Sequence, residues 1–109
     1  MNTSAAVPVT VAPEAAARIA ELGMHAQVDR MLDYARQHIP ELVRIEIVLN
    51  ERYEEDAPSG VAIDTYSQRP FDSADRTDAE LSRWMVTTFP PEVLEHIHLW
   101  HYLEADHAG

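Results

Sequence analysis

Cysteine and lysine are both absent from this 109-residue chain, and glycine occurs only three times. Without cysteine there is no disulfide framework, no thiolate-bound zinc or iron-sulfur centre and no thiol nucleophile. Without lysine there is neither a Schiff-base amine nor the phosphate-binding lysine of a P-loop. Gly23 and Gly60 are the only glycines before the last residue, too few for a loop that cradles a nucleotide. Positive charge is scarce as well: eight arginines stand against 19 acidic side chains, a formal net charge of −11. Affinity for phosphate backbones rests on clustered cations that release counterions, so direct nucleic-acid binding is not expected. No apolar run is long enough to span a membrane, and the opening MNTSAAVPV lacks the cationic start of a secretory signal. The expected location is the cytoplasm, which a cysteine-free composition suits.

What is present is enough for one small core. Hydrophobic residues make up 46% of the chain, and although alanine accounts for many of them, the larger aliphatic and aromatic side chains exceed the level below which charged chains stay disordered. The expectation is a single α+β domain over residues 13–104, preceded by a tail or edge strand at 1–12 and followed by a tail at 105–109. All-arginine cations and abundant alanine are the composition of a GC-rich bacterial source.

Period and punctuation locate the elements. Val7, Val9 and Val11 alternate with Pro8 and Thr10, a pattern suited only to a sheet edge because Pro8 has no N–H to donate. Pro13 fits the first turn of a helix over PEAAARIAEL, and Gly23 can end it in the left-handed conformation of a Schellman motif that brings Met24 back toward Ile19. A second helix should run from His25 to His38, with Val28, Met31, Leu32, Ala35 and Ile39 on one face and Pro40 as the stop. From Val43 the period becomes two: Val43, Ile45, Ile47 and Leu49 point one way, Arg44 and Glu46 the other. Val61, Ile63 and Thr65 alternate with Ala62, Asp64 and Tyr66 in the same manner, so the two runs read as an antiparallel hairpin that needs helix cover, an edge strand or a second copy of the chain. Residues 69–76 read as a loop, and Thr77-Asp78-Ala79-Glu80 has the spacing of a capping box at the start of a third helix. Phe89 is held extended by Pro90, and Pro91 opens a predicted last helix running to about residue 107. The expected order is therefore α-α-β-β-α-α around a small antiparallel sheet.

Few residues point to chemistry. In the predicted last helix, His98 and His101 fall about 60° apart on one face, with His96 facing away, so at most two imidazoles could share a metal. This is a weak alternative site, and no cofactor is expected. The same helix would be apolar around too much of its circumference, which points to a homodimer interface involving Leu99, Trp100, Tyr102 and Leu103. Glu51, Glu54, Glu55 and Asp56 form the densest charge in the sequence but lack the spacing of an EF-hand loop. With Asp64 they are the candidate surface for a basic protein partner. No serine carries a nucleophile-elbow motif, and no positioned His-Asp companions can be identified along the chain.

The stretch IPELVRIEIVLNERYEEDAPSGVAIDTY resembles a loose class of small uncharacterised bacterial proteins. In that class a helix and a Phe/Ile-Pro-Glu segment lead into a charged-tipped hairpin and then helices, and some members are similar to toxin-antitoxin operon partners. The resemblance extends over about residues 14–103 and implies an α+β fold without an assigned activity. The leading expectation is thus a non-enzymatic acidic interaction domain, antitoxin-like or adaptor-like, that binds a basic protein. The alternatives are a small metal-dependent enzyme built on the C-terminal histidines and a DNA-mimicking inhibitor whose carboxylates imitate phosphates. Residues 41–80 hold 11 of the 19 acids and four of the eight arginines, which places the charge excess in the hairpin and the loop after it.

Overall fold

The computed structural model describes residues 7–39, 41–50, 60–68 and 74–103, with the side chains of positions 74 and 75 excepted. Its elements run β1 (Val9–Val11), α1 (Pro13–Leu22), α2 (His25–His38), β2 (Leu42–Asn50), β3 (Gly60–Ser67), α3 (Ala74–Thr88), α4 (Pro91–Leu94) and β4 (Ile97–Leu103). The fold is α+β, and the four strands form one mixed sheet in the order β1-β2-β3-β4. β1 lies parallel to β2, β2 antiparallel to β3, and β3 parallel to β4. The chain therefore divides into two β-α-α-β halves, each closing a parallel pair, joined back to back through the central hairpin. No sequence repeat betrays this division.

The first half forms as its residues dictate. Pro13 occupies the first turn of α1, and Ala15 and Ile19, four apart, are buried. Gly23 adopts φ 66°, ψ 35°; its N–H donates to the Ala20 carbonyl at 3.1 Å and that of Met24 to the Ile19 carbonyl at 3.2 Å. Those two bonds are the Schellman closure expected of this position. α2 buries Val28, Met31 and Ala35 and ends with the Ile39 N–H on the Ala35 carbonyl. β1 is stitched to β2 by Ile45 N–H to the Pro8 carbonyl and Ala12 N–H to the Ile47 carbonyl, so the proline sits at the edge, where its missing donor costs nothing.

Three expectations are corrected here. The sheet is mixed rather than antiparallel: the edge strand offered for residues 1–12 forms as β1 and runs parallel to β2, and β4 adds a fourth strand beside β3. α3 begins at Ala74, so Thr77 lies inside it with a buried side chain, and Thr77–Glu80 does not form the capping box at the helix start. The predicted helix from Pro91 to residue 107 is one turn only: after Leu94 the chain turns through Glu95 and His96 and becomes β4. The reason lies in β3, which is buried along nearly its whole length on both faces. A strand in that position must hydrogen-bond on both sides, since an unpaired buried N–H or C=O costs as much as a lost hydrogen bond. The segment that looked apolar around a helix satisfies this as a strand with two apolar faces.

Ile45 and Ile47 of β2, Val61 and Ile63 of β3, and Ile97 of β4 join Ala15, Ile19, Val28, Met31, Leu81, Met85, Phe89 and Val93 in one core, so all four helices pack on the same face of the sheet. Across the two halves, Tyr34 of α2 stacks on Trp84 of α3 with centroids 4.0 Å apart, and Phe89 meets the Trp84 ring edge-on. No described helix is long and apolar enough to cross a membrane.

Nothing lies within 4 Å of a Cβ built on Gly23, so substitution there tests backbone conformation alone. Gly23→Ala is expected to cost about 1 kcal/mol through its left-handed backbone, and Gly23→Asn less. The urea midpoints of the two variants check this.

Candidate interaction surface

Because the helices occupy one face, strand alternation fixes what the other face presents. Its side chains fall into three rungs set by the ladder register. Arg44, Tyr66 and Tyr102 form the first, Thr10, Glu46, Asp64 and Trp100 the second, and Val48, Ala62 and His98 the third. Among the described residues no helix packs on this face.

The first two rungs are knit together. The Arg44 guanidinium lies 3.9 Å from the centre of the Tyr66 ring, and its Nε–H donates to Glu46 Oε2 at 3.0 Å. A delocalised cation spread over an aromatic face with a carboxylate at its edge satisfies charge and packing at once. Tyr66 stacks on Tyr102 at 5.4 Å, and His98 on Trp100 at 5.9 Å. Trp100 is nevertheless 47% exposed, while Tyr66 beside it in the sheet interior is buried. Val48, Leu49, Asn50, Ala62, Asp64, Trp100 and Tyr102 line a shallow depression of about 280 Å³ whose exposed lining is more polar than apolar, with one carboxylate in its wall.

Burial raises both phenols above the ordinary tyrosine value of 10.0, and the nearby Asp64 carboxylate raises them further. Arg44 opposes this at Tyr66 but does not overcome it. Both rings stay neutral hydrogen-bonding groups throughout the physiological range.

Comparison with protein-family models, curated proteins and solved structures gave no match. The surface is therefore read from its own chemistry.

The sequence-predicted residues are dispersed by the fold. Glu51, Glu54, Glu55 and Asp56 lie outside the described residues. Asp64 stands on the open face, between Glu46 on one side and Trp100 on the other. Of the four residues expected at a dimer interface, Trp100 and Tyr102 share the open face, whereas Leu99 and Leu103 point to the helix side. His98 and His101 lie three apart on a strand and so face opposite ways; the helical spacing that paired them does not exist. Among the described residues no three metal-ligating side chains converge.

A constellation that sequence reasoning missed sits on the helix side. His101 is buried, its Nε2 2.7 Å from Ser67 Oγ, while Nδ1 lies 3.3 Å from Asp78 Oδ1 of α3. The order Ser-His-Asp is that of a hydrolase triad, but the roles are not. Ser67 is wholly buried within a strand paired on both sides, where no substrate carbonyl can reach its hydroxyl. The Nδ1 contact with Asp78 is an ion-pair distance without hydrogen-bond alignment, and Nδ1 is otherwise unsatisfied. These residues fasten β3, β4 and α3 together, aided by the Thr65 hydroxyl, which donates to the Trp100 carbonyl at 2.7 Å. The signal was available only once β4 was known to be a strand in register with β3.

Two outcomes follow from this geometry. Ser67→Ala strands the buried imidazole and should lower stability by about 1–3 kcal/mol, read from chemical denaturation. With Tyr66 and Tyr102 raised in the folded state, stability is fully present below the unfolded tyrosine value and is lost as pH climbs above it, because the unfolded chain ionises first. Urea midpoints should fall between about pH 9 and about pH 11, and less steeply in Tyr66→Phe.

Proposed function

We propose that the protein is a non-enzymatic interaction domain that binds a basic protein segment on the open face of its sheet. The observation that carries this reading is the exposed Trp100 ring set beside Asp64 and Tyr102 in a largely polar depression. Such a site matches an arginine or lysine side chain of the partner. The aliphatic stem lies along Val48 and Ala62, and the cation stacks on the indole with the Asp64 carboxylate nearby. Asp64 stands directly opposite Glu46 across β2 and β3, and Glu46 is held by the Arg44 guanidinium at 3.0 Å. The chain's net charge of −11 steers a basic partner toward it. The cytoplasmic setting expected from composition completes the proposal.

The metal-enzyme alternative loses its basis, since it depended on helical spacing of His98 and His101. The open face sets its two carboxylates, Glu46 and Asp64, beside the Trp100 ring, which supports a mixed cationic and apolar contact over a row of phosphate-like charges.

An oligo-arginine peptide serves as the probe in a titration followed by Trp100 fluorescence and calorimetry. Binding should weaken as salt rises, and Trp100→Ala should reduce affinity about fivefold, the worth of an exposed cation–π contact of about 1 kcal/mol. Asp64→Asn should reduce it further and flatten the salt dependence. Wild-type affinity in both variants would end the proposal.

A further inference from the structure

The two edges of the sheet are guarded very differently. β1 is three residues long, preceded by Pro8 and followed within two residues by Pro13, a short strand that offers little to another chain. β4 is seven residues long, and Ile97–Leu103 contains no proline, no Asp, Glu, Lys or Arg and no bulge. Among the described residues no strand lies outside it. Natural sheets blunt such edges with lysine, proline, bulges or brevity, and β4 has none of these.

The backbone of β4 can be assigned side by side. Val61 N–H donates to the His96 carbonyl at 2.7 Å, and the Trp100 carbonyl accepts the Thr65 hydroxyl, so even-numbered residues direct their polar groups toward β3. By alternation, Ile97, Leu99, His101 and Leu103 direct theirs to the outer edge.

We propose that β4 is a homodimerisation strand. It pairs antiparallel with β4 of a second copy about a two-fold axis through Trp100, and the two sheets become one of eight strands. This register is the one that overlaps all seven residues, and it is self-complementary at each level. Ile97 meets Leu103 of the second copy and Leu99 meets His101, each as a hydrogen-bonded pair, because these are the residues whose N–H and C=O groups face outward. On the open face Trp100 meets Trp100 across the axis and His98 meets Tyr102, forming a continuous aromatic ladder of the kind that stabilises antiparallel pairs.

Charge argues for a second copy as the occupant. In a chain of net charge −11, most surfaces repel their own duplicates, yet this edge opposes no charge with a like charge over its whole length. Beside the edge, Val86 of α3 is 67% exposed at the rim of an apolar groove of about 200 Å³ that Met85, Leu94, Ile97 and Leu99 also line. Leu103 of the second copy, paired with Ile97, falls at this groove and covers it. The dimer rests on the edge of β4 and the binding reading on its face, but both engage Trp100, and dimerisation would place two open faces side by side in one surface.

The absence of cysteine makes the register directly testable. In an antiparallel pair without mutual hydrogen bonds the Cα atoms are about 4.5 Å apart, within reach of a disulfide, whereas His98 lies more than about 10 Å from its own counterpart in this register, as does Tyr102. Trp100→Cys should therefore oxidise to a covalent dimer, while His98→Cys and Tyr102→Cys should not, and the double variant His98→Cys/Tyr102→Cys should. Sedimentation of the wild-type chain should give twice the monomer mass, and Trp100→Lys, which sets two cations on the axis, should give a folded monomer by circular dichroism. A wild-type monomer at high micromolar concentration, or equal cross-linking at all three single positions, would overturn the proposal. Oligo-arginine binding by a monomeric wild-type chain would leave the proposed function standing and remove only the dimer. A dimer that ignores the peptide would do the reverse.

Discussion

Ile45 and Ile47 from β2 with Val61 and Ile63 from β3 present a strip of β-branched side chains to the helices, and every other feature of the molecule follows from filling that side alone. Full burial of such a side chain contributes about 1.5–3 kcal/mol, so the strip is the largest concentrated source of stability in a chain this short. The period of two that places those four residues inward obliges Arg44, Glu46, Ala62, Asp64 and Tyr66 to point outward. A one-residue slip of either strand would bury Glu46 and Asp64 against the helices and expose the isoleucines. Register is therefore strongly fixed, and with it the exact set of residues that the open face presents.

That obligation explains how much was legible from sequence. β2 and β3 alternate because one face packs on the helices and the other does not, and α1 and α2 end at signals in the sequence, Gly23 in one case and Ile39 before Pro40 in the other. β4 lacked such a signal. A strand whose two faces are both apolar shows no alternation, and IHLWHYL read as a helix that was hydrophobic all round. The distinguishing clue was the enrichment in aromatic residues combined with the need of β3 for a second neighbour, and that need arises from tertiary burial. The surface inherited the same blind spot. Strand alternation alone places Asp64 on the open face, but its neighbours Trp100 and Tyr102 read as helical, and the Ser67–His101 bond across the same two strands has no sequence signal.

The Ser67–His101–Asp78 arrangement shows how burial separates a structural bond from a catalytic one. A nucleophile needs an approach path and donors for developing negative charge. Ser67 has neighbouring strands on both sides and no exposed surface. Its partner imidazole instead satisfies the Ser67 hydroxyl, which the core would otherwise strand, beside Asp78 in the first part of α3. The polar cluster thereby fixes β4 against β3 at the far end from the Val61–His96 bond, holding straight a strand whose other edge is open.

Salt separates the two interactions attributed to this surface because their electrostatics have opposite signs. Binding of a basic segment draws on attraction between unlike charges, and screening over a Debye length of about 8–10 Å weakens it. Pairing of two copies would bring together two chains that are both strongly negative, while the proposed contact contains no Asp, Glu, Lys or Arg. Added salt relieves the long-range repulsion and leaves the hydrophobic and backbone terms intact, so the dimer gains where the complex loses. If both proposals hold, an acidic chain whose edge strand lacks Asp, Glu, Lys and Arg meets its own copy through that edge and basic partners through its face, and ionic strength shifts the balance between them.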